Sequence, residues 1–224
     1  MPADETALDL QVLERQEPLR TIPGRNSTKA DILVYRHGTL QVALKDYRPR
    51  PWWVRLAVGR GLVARETAAY EAARGIAGVA RFLGRLGPLC LATEWVDGRP
   101  LREWAGEELP GGVFEKLRAT LDRLHEAGIA LGDVHHRDVL VEASGRVTLV
   151  DLATAVTLGD RPGAMRSRIF RRLQLQDEIS YVRLAARFSG EDPEQAVMSL
   201  GPEAAAAHAR GRRLKRALKR LRGR

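Results

Sequence analysis

The stretch Ile129-Ala-Leu-Gly-Asp133-Val-His-His-Arg-Asp138-Val-Leu-Val141 and, after a short turn, Val147-Thr-Leu-Val-Asp151-Leu-Ala153 constrain the fold more than any other part of the chain. The apolar runs Val139–Val141 and Val147–Val150 have the length of buried strands. Between them, Glu142-Ala-Ser-Gly-Arg146 carries the Ser-Gly of a tight hairpin. Such a hairpin puts Asp138, just before one strand, and Asp151, just after the other, at the same edge of a small sheet. Asp133 stands five residues earlier. Gathering acids there is costly unless a cation or a substrate proton sits among them.

A chain of 224 residues is long enough for one domain of two lobes with a substantial core. The single cysteine, Cys90, lies in an apolar run, excludes an internal disulfide and reads as core. The acidic start Met1-Pro-Ala-Asp-Glu5 lacks the pattern of a signal peptide, and no apolar run reaches the roughly 18 residues of a membrane span. A cytoplasmic location is expected. The net charge of +9 is local: nine of the 37 Lys and Arg fall in residues 210–224, and the remaining 28 balance 28 Asp and Glu. A neutral body argues against nucleic acid as a partner. Only five of the basic residues are lysines, so a lysine inside a strand pattern is informative.

Residues 1–20 read as a polar arm, either a short helix or frayed. The turn-rich Gly24-Arg-Asn-Ser-Thr-Lys-Ala30 leads into a strand at Asp31–Arg36, and His37-Gly38 turns into a second at Leu40–Lys45. Lys45 is then either a solvated strand end or a fixed ammonium. Arg48-Pro-Arg-Pro-Trp-Trp53 reads as a basic-aromatic loop, with the tryptophans packed under it or serving as an interfacial anchor. From Leu62 to Arg74 a helix carries Val63, Glu66, Thr67, Tyr70 and Ala73 on one stripe. Glu66 on that stripe points inward and needs a cation, for which Lys45 is the candidate. The alternatives are an exposed Glu66 paired with Arg65 or Arg74, or Glu71 in its place. Val79–Leu86 and Leu89–Glu94 read as strands joined at Gly87-Pro88, and Trp95–Leu101 as a turn between two halves. Val113, Leu117, Leu121 and Leu124 mark a helix capped by Gly128. After Asp151 come the loop Gly159–Gly163, a basic helix or arm at Ala164–Leu173 and a core helix at Asp177–Phe188. A short helix starting at Glu191-Asp-Pro-Glu and an Ala-rich, then basic, terminal helix complete the chain.

The order Lys45, Glu66, Asp133, Asp138, Asp151 resembles that of protein-kinase-like phosphotransferases over roughly residues 25–155. Val42-Ala-Leu-Lys45 is similar to the kinase Val-Ala-Ile-Lys strand, and Asp151-Leu-Ala153 stands where Asp-Phe-Gly would be. Leu131-Gly-Asp133 through Asp138 resembles the catalytic loop, with Asp138 where kinases keep Asn. Leu124-His-Glu-Ala-Gly-Ile-Ala-Leu-Gly-Asp133 is similar to the pattern of RIO-type, aminoglycoside and lipopolysaccharide kinases. Arg65-Glu66 through Gly84, with the Arg-Pro-x-Trp motif at Arg50–Trp53, looks most like the bacterial lipopolysaccharide (Kdo/heptose) kinase group.

The resemblance implies an α+β, two-lobed protein-kinase-like fold with a small antiparallel-sheet N-lobe and a shortened helical C-lobe. Its divisions are an arm at 1–20, an N-lobe at 21–95, a C-lobe at 96–200 and a basic amphipathic helix at 201–224. It implies ATP and Mg²⁺ as cofactors. Lys45 holds the α/β-phosphates and Glu66 clamps it; Asp133 accepts the acceptor's proton; Asp138 and Asp151 bind the metal. Ser27, at the tip of Gly24–Ala30, covers the phosphates in place of the absent Gly-x-Gly-x-x-Gly, and the backbone of Thr93–Val96, at Glu94 and Val96, reads adenine. Gly132 replaces the Arg that pairs with a phosphorylated loop, and no Ala-Pro-Glu follows, so neither loop phosphorylation nor a full peptide platform is expected. The acceptor is a hydroxyl of a sugar or glycolipid such as lipopolysaccharide core. Alternatives are a RIO-like protein serine/threonine kinase and a nucleotide-binding pseudokinase scaffold.

His135 and His136 lack further ligands at zinc spacing and read as shaping the loop or touching substrate. Asp177 either anchors the catalytic loop or caps a helix. Leu214, Leu218 and Leu221 among basic residues suit peripheral contact with an anionic membrane at its inner face, a solvated helix, or nonspecific nucleic-acid affinity.

Overall fold

The computed structural model describes residues 8–159 and 162–222, and their side chains apart from residue 58 and residues 214–222. The acidic first residues and the Leu214, Leu218 and Leu221 stripe lie outside what is described.

An antiparallel five-stranded sheet forms the first half of the molecule. Its strands are β1 (Arg20–Ile22), β2 (Asp31–His37), β3 (Leu40–Asp46), β4 (Phe82–Gly87) and β5 (Cys90–Glu94), in the spatial order β1-β2-β3-β5-β4. The pleat sorts β3 by alternation. Val42, Leu44 and the buried Asp46 face an outer cluster with Tyr35, Cys90 and Ala92, while Ala43 and Lys45 face inward. The short helix α1 (Leu10–Glu14) seals the outer face with Leu13, which is fully buried, so the arm forms a helix and packs on the sheet.

One continuous helical run crosses the inner face. It starts with α2 (Trp52–Val54), widens into a π-helical turn at Arg55–Gly59 and continues as α3 (Arg60–Ala72). The expected loop at Arg48–Trp53 therefore ends earlier, at Pro51. Pro51 stands at the N-cap, where a missing N–H costs nothing, and the tryptophans begin the first turn in the open. All five residues of the expected stripe on α3, Val63, Glu66, Thr67, Tyr70 and Ala73, are buried. The strand expected from Val79 starts only at Phe82; Val79 makes an isolated parallel bridge to Leu149 instead.

The second half is mainly helical. Two small sheets, β6 (Arg99–Pro100) with β8 (Val139–Val141) and β9 (Val147–Leu149), and β7 (Ile129–Ala130) with β10 (Val156–Thr157), sit between the first half and the helices. Helix α4 (Val113–Glu126) buries Val113, Leu117, Leu121 and Leu124 and ends at Gly128, whose φ of 73° only glycine adopts freely. The basic and core segments expected as separate elements are one helix, α5 (Ala164–Ser189). Nothing between Leu173 and Asp177 breaks a helix, and the buried spacing runs through the join. Helices α6 (Pro193–Ser199), N-capped by Asp192, and α7 (Pro202–Arg222) follow. One core runs through both halves, from Tyr47, Val63 and Tyr70 across Leu121 and Leu149 to Leu184. No helix among the described residues is long and apolar enough to cross a membrane.

Candidate active site

The inward face of β3 meets the buried stripe of α3 at Lys45. Its ammonium lies 2.9 and 2.8 Å from the two carboxylate oxygens of Glu66 and 2.9 Å from Asp151 Oδ1. Glu66 is 0% exposed, so the exposed alternative and the reserve Glu71, which is exposed, both fall away. Burial alone would lower the Lys45 pKa, but the two carboxylates hold it raised and the ammonium charged. Burial likewise pushes Glu66 up beyond what Lys45 offsets.

Asp151 reaches Lys45 through a backbone turn. It is the one non-glycine residue among those described with a left-handed φ, 63°, a conformation asparagine and aspartate tolerate better than most. The Tyr70 hydroxyl accepts the Asp151 N–H at 3.1 Å, and Asp151 Oδ1 accepts the Ala153 N–H at 3.2 Å. Tyr70 is one helical turn from Glu66 on the same stripe. Burial would raise the Asp151 carboxyl, but Lys45 and the Ala153 N–H hold it below its ordinary value. Arg65, beside Glu66, donates to the Ala153 carbonyl and ties α3 to the same segment.

The hairpin brings in Asp138 as expected. Val139 pairs with Leu149, and the Val150 N–H donates to the Asp138 carbonyl at 2.8 Å. Burial first, and the charge of Asp151 second, push the Asp138 carboxyl up to about 6. Lys45 thus faces three acids, an excess of negative charge that a further cation would relieve. Lys29 and Arg25 partly answer it: Lys29 acts on Asp138, Asp151 and Glu66, and Arg25 on Asp138. Neither carries a role read from sequence, although Lys29 is one of the five lysines.

Both residues belong to the turn over the site. The Thr28 N–H and hydroxyl donate to Asn26 Oδ1 at 3.1 and 2.8 Å, and the Gly24 N–H donates to Asp31 Oδ1 at 2.7 Å. A Cβ on Gly24 would stand 2.3 Å from the Lys29 carbonyl oxygen, so the turn closes only with glycine there. Ser27 is exposed at its tip. At the junction of the halves, the Glu94 and Trp95 N–H groups donate to the Arg81 and Gln41 carbonyls, each at 2.8 Å. The Val96 N–H is taken by no acceptor among the described residues.

Asp133 is exposed and accepts a hydrogen bond from the Ser180 hydroxyl at 3.2 Å. The backbone just before it is latched from α5. Buried Asp177 accepts the Leu131 N–H at 2.8 Å and contacts His125 Nε2 at 3.0 Å. Asp177 therefore anchors the loop and, in mid-helix, caps nothing. Gly132 has φ 81°, and a Cβ there would stand 2.8 Å from the Leu173 side chain. The His135 and His136 rings touch at 4.2 Å between centroids, and the His136 carbonyl accepts the Arg102 N–H at 3.1 Å, so the pair shapes the loop. The structure thus brings Lys45, Glu66, Asp138 and Asp151 into one electrostatic cluster. Asp133 lies on the latched loop five residues before Asp138, Ser27 on the turn with Arg25 and Lys29, and Glu94 and Val96 at the junction. No protein-family model and no curated protein matches the chain.

Proposed function

We propose that the chain is an ATP- and Mg²⁺-dependent phosphotransferase with a two-lobed, protein-kinase-like architecture. The observation that carries the reading is the Lys45 ammonium held between buried Glu66 and Asp151, three groups delivered by a strand, a helix and a post-strand turn. Such a fixed cation is suited to the α/β-phosphates, and Glu66 keeps it from swinging away. The turn carrying Ser27, Lys29 and Arg25 supplies donors and positive charge above it, and the Glu94–Val96 backbone offers an open N–H to a base. Asp138 and Asp151 fit a hard cation, because ionised oxygen ligands crowded together favour one. Among the described residues no third acid or histidine completes a metal-holding group, so the other ligands would be phosphate and water oxygens. Bound Mg²⁺ would neutralise charge on the phosphates.

Asp133 would accept the proton of an acceptor hydroxyl as that hydroxyl's oxygen bonds to the γ-phosphorus and the bond between the γ-phosphorus and the β,γ-bridging oxygen breaks, with ADP as the leaving group. The short chain between Asp151 and α5 leaves little room for a peptide platform, which favours a sugar or glycolipid hydroxyl over a protein. A binding-only scaffold is the second reading, favoured by the additional charge of Asp138. Thermal unfolding with and without Mg·ATP, paired with ATP turnover in the parent and Asp133→Asn, tests both. Stabilisation with turnover that collapses in Asp133→Asn supports the enzyme. Stabilisation with equal turnover supports the scaffold, and no stabilisation sinks the nucleotide site.

A further inference from the structure

One face of α5 leads from solvent to the candidate base. Met165, Ile169, Arg172, Leu173, Gln176 and Ser180 recur at three- and four-residue steps and share a side of the helix. At the inner end, Gln176 donates to the Ser180 hydroxyl at 3.4 Å, Ser180 donates to Asp133, and Leu173 abuts Gly132. At the outer end, about 22 Å away at 1.5 Å per residue, Met165 is 73% exposed and Ile169 45%. Large apolar side chains this open, on the exposed half of a helix whose buried residues lie mostly from Asp177 onward, are not explained by the core.

The charge around them is of one sign. Residues 162–176 contain four arginines and no acid. Arg166 donates to the Thr157 carbonyl at 2.8 Å, whereas Arg168, Arg171 and Arg172 are exposed and have no carboxylate partner among the described residues. The same pairing recurs on the run that leads into α3. Trp52 is 68% exposed with Trp53 and Leu56 open beside it. Of the five arginines in residues 47–65, Arg48 and Arg50 pair with carboxylates and Arg65 with the Ala153 carbonyl, which leaves Arg55 and Arg60. Both helices grip one segment, Arg65 at the Ala153 carbonyl and Arg166 at the Thr157 carbonyl.

We propose that the N-terminal half of α5, with Met165, Ile169, Arg168 and Arg172 outermost, is a docking surface for an anionic lipid bilayer. Apolar side chains interleaved with unpaired arginines match the interface between acyl chains and anionic headgroups. An acidic protein would answer the charges but leave Met165 and Ile169 without a partner. Docking does not depend on the phosphotransfer reading; only the further statement that the bilayer presents an acceptor hydroxyl to Asp133 rests on it.

Flotation of the full chain with phosphatidylcholine vesicles, with and without about a third phosphatidylglycerol, tests the surface. The basic terminal helix is left intact in every protein, so its contribution is constant. Parent protein is expected to float with the anionic vesicles alone. Arg168→Gln/Arg172→Gln and, separately, Met165→Ser/Ile169→Ser are each expected to weaken partitioning by tenfold or more. Circular dichroism and Mg·ATP stabilisation are expected to match the parent, which separates loss of docking from misfolding and from failure of the nucleotide site. Should one pair misfold, the other still decides. Partitioning unchanged in folded variants, or polyglutamate binding that depends on α5 while vesicle binding does not, overturns the proposal.

Discussion

Lys45 makes two ion pairs, with Glu66 and Asp151, and substitutions can separate their part in stability from the chemistry proposed for them. Lys45→Met leaves buried Glu66 without its cation, at a cost of about 3 kcal/mol typical of a broken buried pair. Adding Glu66→Leu removes the orphaned charge, so the double variant should recover most of the lost melting temperature. It should still gain nothing from Mg·ATP, since no ammonium remains for the phosphates. A double variant that is stabilised by Mg·ATP like the parent would remove Lys45 from the site. Asp138 makes a prediction of opposite sign. Its carboxyl sits at about 6 in the folded chain against an ordinary value near 4. Between those values the native state holds a proton that the unfolded chain has released, so stability falls as pH rises through about 6. Asp138→Asn should therefore match the parent near pH 4 and exceed it by on the order of 2–3 kcal/mol at pH 7.5 without ligand. Denaturant titrations at the two pH values check it, and a gain that is equal at both would rule out ionisation of Asp138 as its source. The Lys45–Glu66 pair was legible because strand and helix periodicities each fix a phase. The Tyr70 hydroxyl under Asp151 and the charges of Lys29 and Arg25 were not, because they depend on how a turn folds over a sheet.

At the scale of elements, the loop that carries Asp133 owes its shape to α5 rather than to its own sequence. Asp177 takes the Leu131 N–H and the His125 ring from a helix some 45 residues further along. Burial raises its carboxyl, while His125 and the Leu131 and Gly132 N–H groups pull the other way. Asp177→Ala leaves a buried N–H unsatisfied and should cost about 1–3 kcal/mol. Turnover should fall by more than the loss of folded protein accounts for, because Asp133 is then no longer held. His125→Ala, which leaves the Leu131 bond in place, should cost less on both counts. Equal turnover per folded molecule in Asp177→Ala would make the latch purely structural. The strands β2, β3 and β5 and helices α3 and α4 were legible from periodicity within one or two residues. The hairpin strands β8 and β9 and the helices α6 and α7 were legible too, and the elements that were not legible escaped for physical reasons. β1, β6, β7 and β10 are two or three residues long and exist only through pairing, and the π-helical turn at Arg55–Gly59 carries no compositional mark. The continuity of α5 was hidden by its change from a basic exposed half to a buried one, although no helix breaker stands between them.

At the scale of the molecule, the two halves share one apolar core, crossed near the surface by the Lys45–Asp151 pair and the Arg65–Ala153 contact. The boundary expected near residue 95, at the turn Trp95–Leu101, separates the five-stranded sheet and α3 from the later helices without dividing the core. Val79 and Ala80 illustrate this: they lie between α3 and β4 in the chain, yet Val79 bridges to Leu149 and the Ala80 N–H donates to the Leu149 carbonyl at 3.0 Å. Two halves with separate cores would unfold in two steps, whereas a shared core predicts one cooperative transition. The outlying cluster of Ile179, Val197 and Ala204 under α6 and α7 is small, so that corner should open below the global free energy. Hydrogen exchange is expected to be slowest in α4 and β5 and at least tenfold faster in α6, with circular dichroism and tryptophan fluorescence melting together. Separate transitions for the two probes, or α6 amides protected like those of α4, would contradict a single core with a loosely attached corner.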